Sequence, residues 1–296
     1  MDETLKRAIS GAIYILLLIA SILYSKESFF VLFGVFLIIT IYEFCNLIQI
    51  RKLFPILIGS VIYICVTLIS HYNLIFTKTI NELFQSNFSF LINIEKLDLV
   101  LLSVALIVSI KCIIFLFYDS IQKISVSSKY LYLLGYIILP FIFITKISFG
   151  VVDYNPKIII GLFILIWTND TFAYIVGKSI GKHKLFEKIS PKKTVEGFIG
   201  GITFAIVAGY LISKYYIKAS LQFSDKSILI WTIIAVIVGV MGTIGDLIES
   251  KFKRIAGVKD SGKIMPGHGG ILDRLDSVIF VAPFVFLFYK ILSYIS

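Results

Sequence analysis

Charge is what this sequence has least of. Of its 296 residues only 16% are Asp, Glu, Lys or Arg, while 58% are hydrophobic; a soluble domain carries roughly 25% charged residues. That shortfall excludes a water-soluble globular protein, and a mean hydropathy of +0.96 points to a polytopic membrane protein. Cysteine is scarce as well. Cys45, Cys65 and Cys112 fall in apolar segments, with no CxxC spacing and no histidine cluster, which leaves no basis for a thiolate metal site or a disulfide. The chain has no internal repeat, no low-complexity tract and no segment that reads as a soluble domain. A transporter built from inverted repeats would show the first of these. No small-residue cleavage site follows Tyr24, so the first apolar run reads as an uncleaved span and not as a removed signal.

What the chain has in quantity is apolar runs of membrane-crossing length. About 20 apolar residues span a bilayer, and nine segments qualify: 8–24, 28–48, 55–72, 97–118, 129–147, 157–177, 196–217, 227–247 and 277–295. The expected fold is all-α, a polytopic membrane protein of about nine transmembrane helices. An amphipathic stretch, Leu83–Ile94, is expected to lie flat in the interface. The net charge of +10 reads as positive-inside topology and attraction to anionic lipid, not as a nucleic-acid surface. With nine spans, the side bearing the N-terminus holds 18 Lys and Arg against 8 on the other, which predicts a cytoplasmic N-terminus.

Polarity is uneven along the chain. Residues 1–150 are apolar spans and short loops, expected to form a scaffold with possible oligomer contacts. Residues 151–296 hold both long charged loops, 178–195 and 247–276, expected on the cytoplasmic side, and with them the chemistry. The sixth span carries Trp167-Thr168-Asn169-Asp170-Thr171-Phe172-Ala173-Tyr174; a central Asp there costs about 2.5–3.5 kcal/mol, so Asn169 and Asp170 should face a cavity or a partner. The following loop, with six lysines and one glutamate, contains Ser190-Pro191-Lys192-Lys193-Thr194-Val195-Glu196-Gly197. Thr194 is placed to cap the seventh span, and Lys192 and Lys193 stand before that helix N-terminus, where anions are favoured. If helix continues past the eighth span, Asp246, Glu249 or Ser250, and Lys253 share a face; Glu249 and Lys253 also suit an ordinary surface pair. Pro266-Gly267-His268-Gly269-Gly270 is a turn whose backbone N–H groups can approach a ligand closely. It is flanked by Lys259-Asp260 and by Asp273-Arg274-Leu275-Asp276.

Phosphoryl and nucleotidyl transfer need hard oxygen ligands for Mg²⁺ and cations for phosphates. Asp246 and Asp273, with Asp276 or Asp170 near, supply the first. Lys192, Lys193, Lys253, Arg254, Lys259 and Arg274 supply the second.

The run Ser250-x-Phe252-Lys253-Arg254-x4-Lys259-Asp260-x-Gly262-x2-Met265-Pro266-x-His268-Gly269-Gly270-Ile271-x-Asp273-Arg274-Leu275-Asp276 resembles the signature of the phosphatidate cytidylyltransferase (CDP-diacylglycerol synthase) family. Trp167-x-Asn169-Asp170-x2-Ala173-Tyr174 and Ser190-Pro191-Lys192-Lys193-Thr194-x-Glu196-Gly197 resemble it too. Met265 stands where the family usually has Leu, Ile or Phe, a modest apolar exchange. The resemblance implies that CTP and phosphatidate give CDP-diacylglycerol and diphosphate with Mg²⁺, and that a second cation such as K⁺ sits beside it. It also implies a homodimer in the cell membrane with its active site on the cytoplasmic side.

On this resemblance Asp246 and Asp273 hold metal, and Lys253, Arg254, Lys259 and Arg274 contact phosphates. Ser190, Lys192, Lys193, Thr194 and Glu196 bind substrate from one wall, and Asn169, Asp170 and Tyr174 line the floor. Asp260, His268, Gly269, Gly270 and Asp276 shape the nucleotide pocket. Two alternatives stand beside it. A CDP-alcohol phosphotransferase would show a DGxxAR-type run, and none is present. An ion transporter would use Asp170 in its path.

Overall fold

The computed structural model describes residues 3–84, 94–118, 124–149, 154–217 and 227–295. Among them, nine helices are long and apolar enough to cross a membrane. In chain order the helices are α1 (Glu3–Tyr24), α2 (Lys26–Leu47), α3 (Leu53–Phe84), α4 (Ile94–Phe117), α5 (Val126–Tyr132), α6 (Leu139–Ile147), α7 (Pro156–Ile180), α8 (Val195–Leu211), α9 (Ser227–Ile255) and α10 (Leu272–Ile295). α5 and α6 form one span through a π-helical stretch, Leu133–Ile138, and a second such stretch, Ile212–Tyr216, extends α8. Most of the stretch predicted as interfacial, 83–94, lies outside the described residues.

Both expected charged loops shorten. The eighth span does not end at 247: α9 runs on to Ile255, because Asp246, Glu249, Ser250 and Lys253 fall on one helical face and Phe252, on another, is buried. The Phe252 ring centroid lies 5.1 Å from Phe44, 5.0 Å from Phe115, 5.4 Å from Tyr132 and 5.9 Å from Tyr136. Ring pairs of this kind contribute about 0.5–1.5 kcal/mol each beyond the area they bury. The charged connection is therefore 256–271. The lysine-rich loop is also shorter than expected. α7 continues to Ile180, and an antiparallel hairpin, β1 (Lys184–Phe186) with β2 (Ser190–Thr194), fills most of what remains.

Helix starts follow their sequence signals. Ser25 and Ser28 form a reciprocal capping box on α2. Asn155 accepts from Lys157 N ahead of Pro156 in α7, and Thr194 accepts from Gly197 N at the start of α8. The end of α4 is closed from elsewhere in the chain. The ammonium of Lys251 in α9 donates to the carbonyls of Phe115, Leu116 and Tyr118.

Within a bilayer, lipid tails compete equally for apolar surface, so close packing and interhelical hydrogen bonds do the joining. α7, α8 and α9 show this. A Cβ on Gly201 would stand 2.8 Å from Asn169 Oδ1, one on Gly209 2.8 Å from the Trp231 carbonyl, and one on Gly197 2.6 Å from the Ala173 carbonyl. The three backbones lie too close for any larger residue at these points.

Candidate active site

α9 presents Asp246, Glu249, Ser250 and Lys253 on successive turns of one face. Ser250 Oγ donates to Asp246 Oδ1 at 3.2 Å. α10 begins opposite and supplies Asp276, whose Oδ1 accepts from Ser277 N at 2.7 Å. Carboxylate oxygens of Asp246, Glu249 and Asp276 all lie within 4.8 Å of one another. Glu249 is fully buried and, through one oxygen, meets the ammonium of Lys253; Oε1 has no hydrogen-bond partner among the described residues. An acid this deep, with a carboxylate oxygen within 4.8 Å of those of two other acids, is costly unless a cation joins it. Three hard oxygen donors of this kind suit a divalent ion such as Mg²⁺.

Asp273 lies one turn before Asp276 and faces the loop. Its Oδ1 accepts from Lys253 Nζ at 2.7 Å, and its Oδ2 from Ser261 N (2.8 Å), Ser261 Oγ (2.8 Å) and Gly270 N (2.7 Å). The carboxyl that approaches Asp246 is thus that of Asp276, while Asp273 ties Lys253 to both ends of the segment 261–270. Between those ends the chain turns over Pro266 and Gly267. His268 N donates to Met265 O at 2.9 Å and Met265 N to Gly269 O at 2.9 Å. Gly267 has φ +77° after a proline, the type II arrangement. Gly269, at φ +87°, has no room for a side chain because a Cβ there would run into the Asp273 carboxylate.

From the other side, Lys193 on β2 makes an ion pair with Asp246. Asp170 on α7 accepts from Asn169 Nδ2 at 3.2 Å. Asp170, Asp273, Arg274, Asp276, His268 and Trp167 border a cavity of about 220 Å³, closed on α1 by Gly11 and Tyr14. Beside it runs an apolar groove of about 530 Å³ between α1 and residues 264–271; Tyr14 and Met265 border both spaces. His268 is half-buried, with Nδ1 2.8 Å from Ser10 Oγ. Partial burial, and then the nearby Arg274 and Arg7, hold its pKa below the ordinary 6.5.

The remaining residues singled out by sequence take other places. Asn169 is buried in the α7–α8–α9 seam, packed against Gly201 and Gly239, and does not border the cavity. Tyr174 is 66% exposed, with Lys178 Nζ 5.7 Å from its ring. Thr194 is spent as the cap of α8. Glu196 accepts from the backbone N–H groups of Lys182 and His183 and meets His183 Nδ1 at 2.6 Å, so it shapes the hairpin. Ser190 pairs with Phe186 across that hairpin. Arg254 donates to the carbonyls of Ile189 (3.4 Å) and Val258 (3.3 Å), which ties the hairpin to the 256–271 connection. Lys192, Lys259 and Asp260 are exposed, and Gly270 contributes its backbone N–H.

Sequence reasoning missed two contributors. The sequence leaves Glu249 open between the face of Asp246 and an ordinary surface pair, and it belongs to the acid cluster. Glu43, in α2, reaches into the 261–272 segment. Its signal was visible as an ionisable residue inside an apolar span.

Proteins named phosphatidate cytidylyltransferase match part of the chain. Those of Staphylococcus saprophyticus and Staphylococcus aureus are 50% identical over 123 residues, 41% of this chain and 44% of theirs. That of Staphylococcus epidermidis is 46% identical over 129 residues, 43% of this chain and 46% of its own. The matched region thus spans under half the length of these curated relatives. The family model described as "Cytidylyltransferase family" fits residues 5–292, and the chain therefore belongs to the cytidylyltransferase family.

Proposed function

We propose that the protein is a phosphatidate cytidylyltransferase. An oxygen of the phosphatidate phosphate forms a bond to the α-phosphorus of CTP. The bond from that phosphorus to the bridging oxygen breaks, and its electron pair leaves with diphosphate. CDP-diacylglycerol remains in the membrane. The observation that carries this reading is the convergence of Asp246, Glu249 and Asp276, with Lys193 and Lys253 paired to the first two, beside a cavity that Asp276 and Arg274 line and that adjoins an apolar groove.

Asp246, Glu249 and Asp276 would hold Mg²⁺, which when bound offsets charge on the diphosphate leaving group; K⁺ is the second cation this reading allows. Lys193 and Arg274 neutralise phosphate oxygens, and Asp273 holds Lys253 and the glycine-rich turn in register. The attacking phosphate is already anionic near neutral pH, so the residues mainly position and neutralise. The groove walled by Ile9, Ile13 and Leu17 of α1 suits the acyl chains, with the headgroup passing Tyr14 and Met265 into the polar cavity. The positive-inside count supports a cytoplasmic N-terminus and a site facing the cytoplasm, where CTP is found. The cell membrane and a homodimer complete the reading on the strength of the family resemblance.

The test is transfer of label from CTP, carried on its cytidine or α-phosphate, into extractable lipid by purified protein in detergent. The expected result is product only when both phosphatidate and Mg²⁺ are present. Folded protein that labels no lipid, or labels it without phosphatidate, would overturn the proposal.

A further inference from the structure

Glu43 lies in the first half of the chain, on α2, and is 1% exposed. Its carboxylate reaches the other half. Oε1 accepts from Ile271 N at 3.2 Å, and Oε2 from Leu272 N at 2.8 Å and Ser261 Oγ at 3.3 Å. Those two N–H groups open α10, and the residue before that helix is Ile271, which has no side-chain oxygen with which to cap it. An anion at a helix N-terminus is stabilised by the aligned peptide dipoles, and Glu43 supplies it from a different helix. The chain leaves room for it. A Cβ on Gly262 would meet Glu43 first, and one on Gly270 would meet Glu43 and Ser261. Ser261 Oγ also lies 2.8 Å from Asp273 Oδ2, so the two carboxylates share one hydroxyl.

We infer that Glu43 is a positioning residue for the reaction: it clamps both ends of the 261–272 segment and thereby sets the first turn of α10, which carries Asp273, Arg274 and Asp276. This inference rests on the function proposed above for its kinetic consequence, though not for the clamp itself. Groups that orient metal ligands typically matter by about 10- to 100-fold in affinity or activity. Glu43→Gln should therefore raise the Mg²⁺ concentration for half-maximal activity and the KM for CTP by about 10-fold.

The experiment combines a kinetic and a non-kinetic arm. In the first, Glu43→Gln is compared with Asp98→Asn, a buried acid at the far end of the bundle. Asp98→Asn should lower Tm while leaving the Mg²⁺ response and KM for CTP unchanged. In the second, tryptic cleavage after Lys259 and Lys263 is followed in wild type, Glu43→Ala, Gly262→Ala and the double variant. Glu43→Ala and Gly262→Ala should each speed cleavage severalfold. The double variant should be no worse than Glu43→Ala alone, because removing the carboxylate makes room for the new methyl. Additive effects in that cycle, or equal shifts in Mg²⁺ response for Glu43→Gln and Asp98→Asn, would overturn the inference. If wild type makes no product, the proposed function fails while the proteolysis arm still decides the clamp.

Discussion

Two groups of charged side chains lie inside the bundle, at opposite ends of α10, and they are composed in opposite ways. At the far end one acid meets two cations: Asp98 lies 2.7 Å from Lys146 and 3.4 Å from Lys290, and Lys146 also donates to Ser70. At the other end acids predominate, with Asp246, Glu249, Asp273 and Asp276 facing Lys193 and Lys253. The 17 residues from Asp273 to Lys290 separate the clusters by about 25 Å of helix. The far cluster has cation enough to satisfy its acid and borders no described cavity. The near cluster has acid to spare and borders one, which is the composition a divalent ion and a polyanionic substrate require.

The largest effect that separates the two ends is expected from the acids. Asp246→Asn and Asp276→Asn should each lower CTP transfer on the order of 100-fold or more, with Tm close to wild type, since relieving acid crowding costs the fold little. Retention of activity in either would erase the functional side of the contrast. Next is Lys253→Met. It strands Glu249 and Asp273 together, and removing one partner of buried charges costs about 3–5 kcal/mol; a denaturation midpoint in detergent reads this directly. Comparable is Asp98→Asn, expected to cost about 3–5 kcal/mol because it strands Lys146, whose side chain is 5% exposed, while Lys290, 24% exposed, can turn toward water. A changed Mg²⁺ response in this variant would merge the two clusters.

The smallest is a pH effect at the near end. Because the folded pKa of His268 lies below 6.5, its contribution is whole above that value and is lost as pH falls through the lowered folded pKa. Wild-type Tm minus that of His268→Gln should therefore shrink between about pH 7 and about pH 5; a constant difference would mean that neither burial nor Arg274 and Arg7 holds the ring's pKa down.

The spans were legible because about 20 apolar residues is a length set by the bilayer and independent of neighbours. Their ends were less so. Ile248 through Lys253 read as loop by hydropathy, although their spacing is helical, and only the burial of Phe252 among rings from α2, α4, α5 and the π-helical stretch shows why the helix holds. The same limit governs the site. The charged residues of 246–276 stand out by composition, but which carboxyl meets which is decided by the rotation of α10 relative to α9, and that turns on contacts such as Gly245, whose missing Cβ would lie 2.9 Å from the Asp276 carbonyl. From the sequence, Asn169 and Glu196 are expected to bind substrate because they stand in two of the motifs that carry the family resemblance. In the structure they hold a helix seam and a hairpin. Glu43 stood out only as an ionisable residue in an apolar span; what it meets was not legible, because its partners are backbone N–H groups 228 and 229 residues away, and no sequence pattern marks an N–H as wanting an acceptor.

Lys251 gives the bundle an order of events. The carbonyls it satisfies at the end of α4 precede it by 133 to 136 residues. At the usual pace of synthesis, about 5–20 residues per second, α4 emerges on the order of ten seconds before the ammonium that completes it. Through that interval those carbonyls must be met by water or lipid headgroups, so the arrival of α9 is the moment at which the end of α4 gains its partners from the protein.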